Sequence, residues 1–244
     1  MRSKLTLMLV ALLAMAGIAT AQTPKKKPLR RTISTSLPSG YTSNDKVAFG
    51  VNHNGTDGWP PNHKSGFDIR VKSAGSWYST TYNDAGYATV IQVEGGTGKK
   101  MIYGKDTSDG EKFAFGKTYT VDGIQVSITA RIPTETPDVV EITYHVKNTN
   151  TDAKTIDLGS CADTQVGNDD NAPVSKSGNK LTMSSGNVSY SLVVKNSANP
   201  TAVTRIWCGG FYYCLDNVFS NFSDTDVEDT GTAWSWHFQL GAGA

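Results

Sequence analysis

The sequence predicts an all-β protein built as a large antiparallel β-sandwich, and three features carry that prediction. Apolar residues recur at every second position in one segment after another, the spacing of a half-buried strand. Gly, Asn, Asp, Ser and Thr separate those segments at short intervals and supply turn chemistry. Beyond the N-terminus, apolar residues at helical spacing are almost absent.

Taken in chain order, the first segment has the form of a secretory leader. Arg2 and Lys4 give a basic start, Leu5 to Ile18 an apolar run, and Ala19-Thr20-Ala21 a small-x-small cleavage site before Gln22. The run is shorter than the roughly 20 apolar residues a spanning helix needs, and no later segment approaches that length, so no membrane span is expected. Residues 1–21 are therefore expected to be a signal peptide on a secreted, extracellular protein. Residues 22–31 contain Lys25-Lys26-Lys27 and Arg30-Arg31, a basic and flexible tail; its sharper readings are a tether to an anionic wall polymer and a dibasic processing site. Residues 32–244 carry no linker-like stretch or fixed-period repeat and read as a single domain, possibly lacking a final strand. Of the 23 basic residues, removal of Arg2 and Lys4 leaves 21 against 22 acidic ones, a net charge of −1. That near-balance argues against nucleic-acid binding, which calls for a basic stripe.

Within the domain, strands are expected at Lys46–Val51, Gly66–Val71 and Ala88–Val93. Asp122-Gly123 separates the segments 117–121 and 124–132, a hairpin signal because a type I′ turn needs positive φ at both central residues. In the second arm Ile124, Val126, Ile128 and Ala130 share a face. Val140, Ile142, Tyr144 and Val146 do the same in the next strand. Further strands are expected at Lys154–Leu158, Leu181–Ser184, Val188–Val194 and Ala233–Leu240. In the last, Trp234, Trp236, Phe238 and Leu240 form an apolar stripe that reads as core.

Three cysteines in an exported chain leave one unpaired. If Gly209-Gly210 makes a two-residue hairpin turn, Cys208 and Cys214 point to opposite faces and cannot bridge. Cys161 paired with either, or three buried free thiols, both remain open. Asn54, Asn187 and Asn221 begin N-glycosylation sequons, which matter only in a eukaryotic host.

The densest polar cluster is CADTQVGNDDNAPV, residues 161–174, with three Asp and two Asn in fourteen residues. Ser160 to Val166 alternates as a strand with Asp163 and Gln165 on one face. Gly167-Asn168 then breaks it, and Pro173 holds Ala172 extended. Asx side chains cap such turns by accepting from backbone N–H groups two residues on, which needs no ligand. The rival is calcium, with Asp163, Asn168, Asp169 and Asp170 as hard oxygen ligands, although the EF-hand spacing is missing. Carboxylates for glycoside hydrolysis, such as Asp163 with Asp169 or Glu141, are a third possibility that only spatial separation decides. No GxSxG, HExxH or nucleotide-binding glycine motif occurs. The loop 52–63 contains His53, Asp57, Trp59 and His63 in no known metal-ligand spacing. Trp59, preceding two prolines, is a candidate for stacking on a sugar ring or for capping the end of the sandwich, and Tyr78, Tyr82 and Tyr87 are candidates for lining a binding face or packing on strand edges.

Several segments together resemble a group of proteins: Ile142-Thr143-Tyr144-His145-Val146-Lys147-Asn148-Thr149, the run Leu158 to Pro173, Trp207-Cys208-Gly209-Gly210 and Ala233-Trp234-Ser235-Trp236. They resemble secreted, uncharacterised β-sandwich proteins of microbial eukaryotes and bacteria, whose layout is similar to the supersandwich of galactose-mutarotase-like domains. The resemblance spans roughly residues 45–240 and implies a fold and a compartment without an activity. The expected function is a non-catalytic carbohydrate- or surface-binding module with a glycan or cell-surface polymer as partner. Its alternatives are a carbohydrate-active enzyme with carboxylates on the sandwich face and a calcium-stabilised structural surface protein.

Overall fold

Strands with one apolar face bury it by stacking sheet on sheet, and that is how this chain folds. In the computed structural model, the residues described are Leu5–Leu12 (backbone) and 33–51, 66–102, 113–196, 199, 201–224 and 229–244. The basic tail, Trp59 with its loop, and Asn54 lie outside them. In chain order the strands are β1 (Leu5–Leu12), β2 (Ile33–Ser34), β3 (Thr42–Ser43), β4 (Val47–Val51), β5 (Phe67–Ser73) and β6 (Ser76–Ser79). Next come β7 (Ala88–Val93), β8 (Lys100–Met101), β9 (Thr118–Val121), β10 (Ile124–Arg131), β11 (Val139–Asn148) and β12 (Lys154–Asp163). The last are β13 (Val174–Ser177), β14 (Lys180–Ser185), β15 (Val188–Asn196), β16 (Val203–Gly210) and β17 (Thr230–Leu240). Two single 3-10 turns, Tyr82–Asp84 and Phe211–Tyr213, complete the regular structure. Among the described residues no helix is long and apolar enough to cross a membrane.

The strands form three antiparallel sheets. One has the order β13-β14-β15-β1-β11-β10-β9, a second β16-β17-β12-β7-β8, and a third β2-β6-β5-β4-β3. The main core draws on all three: Phe49 and Phe67 from the third, Ile91, Leu158 and Trp234 from the second, Ile128, Ile142 and Leu192 from the first. Each stripe read from the sequence enters this core, including Trp234, Trp236, Phe238 and Leu240. Some polar groups inside are partnered: Ser160 Oγ lies 2.6 Å from the Tyr144 hydroxyl and 3.1 Å from Thr89 Oγ1. The Trp236 indole N–H donates to the Lys195 carbonyl at 3.1 Å.

The Asp122-Gly123 hairpin forms as expected, with φ of 49° and 75° and Val121 facing Ile124. The Gly209-Gly210 hairpin does not. These glycines continue β16, where Gly209 faces Gly231 and Gly210 faces Thr230 on β17. Close packing explains them better than turn geometry: a Cβ on Gly209 would lie 2.5 Å from the Trp207 ring, and one on Gly231 would lie 2.7 Å from Phe211 Cα. The chain reverses later, through the 3-10 turn at Phe211–Tyr213 and a long excursion back to β17.

Strand β1 falls inside the run read as a leader. Its backbone pairs with β11 from Leu5↔Val146 to Leu12↔Val139 and with β15 from Leu7↔Asn196 to Leu12↔Ser191. It thus closes the middle of the seven-stranded sheet. A chain cut after Ala21 lacks this strand, and the facing edges of β11 and β15 then need another hydrogen-bonding partner.

The centre of the second sheet tolerates no added atom at Gly159. A Cβ there would lie 2.3 Å from the Trp234 carbonyl oxygen and 2.7 Å from Ser235 Cβ. Both neighbours belong to the paired strand, so neither swings away. Gly159→Ala is expected to cost about 2–3 kcal/mol, measured as a lower urea midpoint with an unchanged slope.

Candidate functional site

Three features, two on the second sheet and one on the third beside it, gather chemically capable side chains among the described residues. The first is the end of β12. Alternation sends Ile156, Leu158 and Ala162 inward, which leaves Cys161 and Asp163 on the outer face. Asp163 is 3 % exposed and Gln165 2 % exposed. Asp163 Oδ1 and Gln165 Nε2 are buried without a hydrogen-bond partner among the described residues. Burial pushes the Asp163 carboxyl up to about 8, with the neighbouring Asp229 and Asp170 carboxylates adding to the rise. Asp163 is therefore a neutral acid at neutral pH.

The rest of the cluster is a backbone brace. Asp169 Oδ1 accepts from the Asn171 amide at 2.9 Å and Oδ2 from the Ser185 hydroxyl at 2.6 Å. Val166 and Asp169 exchange backbone hydrogen bonds at 2.8 and 3.0 Å around Gly167, whose φ is 65°. The Asp170 carbonyl accepts from the Thr230 amide at 2.8 Å, and the Asn171 side chain accepts from the Asp229 amide, which ties the turn to the start of β17. Calcium takes six to eight oxygen ligands. Both Asp169 oxygens accept hydrogen bonds from within the protein, and the described residues hold no group of three His, Cys, Asp or Glu side chains placed to bind a metal ion. Glu141, the other acid weighed for hydrolysis, sits on a different sheet in an ion pair with Arg131.

The second feature is a buried ion cluster reached from the first through a bridge between Thr81 and Thr164. Asp68, fully buried on β5, accepts from the Tyr41 hydroxyl at 2.6 Å, Arg70 Nε at 2.8 Å and the Ser79 hydroxyl at 2.9 Å. Arg70 extends to Asp84 at 2.8 Å, a residue on the turn after β6 with φ 57°. Burial raises Asp84 to about 6 against the opposing pull of Arg70. Every oxygen of Asp68 is satisfied inside the protein, the arrangement of a structural clamp. Of the tyrosines proposed for sugar contact, Tyr78 is half-buried in β6 between Ile33 and Val71, and Tyr82 is half-buried in the turn beside Asp84.

The third feature was not singled out from the sequence. Residues 211–224 leave β16, cover the outer face of the second sheet, and return along the free edge of β16. Phe211, Cys214 and Val218 are buried underneath, while Tyr212, Tyr213 and Phe222 are 69 %, 63 % and 67 % exposed. The segment is held firmly. Lys99 Nζ donates to the carbonyls of Leu215 and Asp216, each at 3.0 Å, and lies over the Phe219 ring. Lys176 Nζ donates to the carbonyls of Ile206 and Asn221 at 2.9 and 2.8 Å. Asn221 Oδ1 accepts from the Ile206 amide, and the Asp224 amide donates to the Cys208 carbonyl at 2.9 Å, so the edge of β16 is capped. The sequence signal was available in Phe211-Tyr212-Tyr213 and Phe222 beside Asp and Asn, but apolar residues of this kind usually enter a core.

No protein-family model matches the chain, and no curated protein matches it. The fold and these three features define an all-β, antiparallel sandwich-type protein with a buried acid at one sheet end and three exposed aromatic rings on the segment 211–224.

Two outcomes are expected from the buried charges. An acid whose folded pKa lies above its unfolded value near 4 stabilises the fold fully below that value and loses its contribution as pH rises toward the folded pKa. For Asp163 the window runs from about 4 to about 8, and Asp84 adds a smaller decline below about 6. Asp163→Asn is expected to flatten the stability–pH curve over that window and raise the melting temperature at pH 8; a parent equally stable at pH 5 and pH 8 would contradict this. Asp68→Ala is expected to cost roughly 3–5 kcal/mol by leaving Arg70 buried with reduced compensation, and adding Arg70→Leu should recover a large part of that loss. Chemical denaturation of the two single variants and the double variant measures both terms.

Proposed function

We propose that this is an exported, non-catalytic module that binds carbohydrate or a cell-surface polymer through an aromatic surface. The observation that carries the reading is the exposure of Tyr212, Tyr213 and Phe222 on a segment clamped to a rigid sheet. Flat rings offer a sugar an apolar face, and the tyrosine hydroxyls offer it a hydrogen-bonding edge. Tyr212, Tyr213 and Phe222 stand on one short segment, and apolar groups gathered in one exposed region mark interaction surfaces. A clamped segment also loses little conformational entropy on binding. Glycan rings stack on such surfaces without needing a deep pocket, which suits an open sandwich face.

Export is supported by the leader-like start of the sequence, and the resemblance to secreted β-sandwich proteins of galactose-mutarotase-like layout points the same way. Trp59 stays a candidate for the same ligand. The enzyme alternative would place Asp163 as the acid, but at 3 % exposure no substrate reaches it without the β12 end opening.

Glycan-array binding followed by titration calorimetry tests the proposal. The parent is expected to give specific signals, and Tyr212→Ala, Tyr213→Ala and Phe222→Ala are each expected to weaken the best of them about tenfold. Melting temperatures should stay within a few degrees, because these rings are mostly in water. Binding unchanged in all three variants would remove this surface from consideration. Turnover of a polysaccharide, lost in a folded Asp163→Asn variant, would replace the binding reading with the enzyme.

A further inference from the structure

We propose that Cys161 and Cys214 are the sites of a disulfide that staples the 211–224 segment to the outer face of the β12–β17 ladder. All three cysteines are buried, but they are not equivalent. Cys208 faces inward and belongs to the main core, its thiol 3.4 Å from the Asp224 carbonyl. Cys161 and Cys214 share a separate apolar cluster on the outer face with Ala88, Val90, Trp207, Val218 and Ala233. Within it, Cys214 Sγ lies 3.6 Å from the Ala162 carbonyl oxygen and 3.4 Å from that of Thr232. Ala162 and Thr232 face each other across the ladder, and the neighbouring pair is Cys161 with Ala233. Cys214 is therefore set over the strand pair one residue from Cys161.

The cluster selects this pair over the others. Cys208 points to the opposite side of the sheet from Cys214, so the pairing suggested by their proximity in sequence is excluded by the fold. Cys161 and Cys214 are both fully buried once the segment is in place, out of reach of an oxidant, so the bond closes during folding. The oxidant is a small-molecule disulfide, RSSR. The Cys214 thiolate attacks it to give a mixed disulfide and one RSH; Cys161 then attacks that sulfur of Cys214 and releases the second RSH. The two protein thiols are oxidised and RSSR is reduced to two RSH. An exported chain meets such an oxidant, and Cys208 is left as the odd thiol. The bond would hold the base of the aromatic segment while leaving Tyr212, Tyr213 and Phe222 outside.

The full chain, refolded in a glutathione redox buffer, tests this independently of any glycan. Under denaturing, non-reducing conditions one thiol per chain is expected to react with an alkylating agent. Peptide mapping should place the unlabelled pair at Cys161 and Cys214. Cys208→Ser should leave no reactive thiol, whereas Cys161→Ser and Cys214→Ser should each expose two. Reduction is expected to lower the melting temperature of the parent by on the order of 10 °C and to leave both of those variants unmoved. Three reactive thiols in the refolded parent, or a bond mapped to Cys208, would overturn the proposal; loss of glycan binding with the bond intact would bear only on the aromatic surface.

Discussion

Along their whole length, β12 and β17 lie side by side in the middle of the five-stranded sheet, in continuous register from Lys154↔Leu240 to Asp163↔Gly231. Both faces of that ladder are occupied. Inward it presents Leu158, Trp234, Trp236 and Phe238 to the core; outward it presents Cys161 and Ala233 to the segment that carries the exposed rings. The register depends on close approach at Gly159, where the Trp234 carbonyl occupies the space of a side chain. A slip by one residue would turn the tryptophans outward and send Cys161 and Ser235 into the core. Everything placed around this ladder inherits its position from it.

The polar groups at the end of the ladder have a common logic. Asp163, Asp170 and Asp229 meet where β12 finishes and β17 begins, and like charges this close in a dry setting do not all ionise. The molecule keeps Asp163 neutral and uses the neighbouring Asx residues as acceptors for backbone N–H groups. Across the Thr81–Thr164 bridge the opposite solution appears: Arg70, Tyr41 and Ser79 surround Asp68 and donate to both of its oxygens. A neutral acid and a fully paired one thus stand on the two sides of that bridge. On the outer surface, Lys99 and Lys176 hold the 211–224 segment in place by donating to backbone carbonyls.

The amino-acid sequence by itself determined the class of fold, the apolar stripes and the Asp122-Gly123 turn, because period-two alternation and positive φ are local properties of the chain. It also determined that 161–174 is a strand passing into an Asx-braced turn. Only the tertiary structure decided the rest. Gly209 and Gly210 have the composition of a turn, yet Trp207 and β17 crowd them into a strand. Tyr212, Tyr213 and Phe222 look like core residues in sequence, and become surface because Phe211, Cys214 and Val218 fill the space beneath. Leu5–Leu12 has the composition of a leader and the backbone pairing of a strand. The neutral state of Asp163 and the meeting of Cys161 with Cys214 were equally illegible. Each depends on residues tens of positions apart in the chain, and distances of that kind are set by packing and register, which local pattern does not encode.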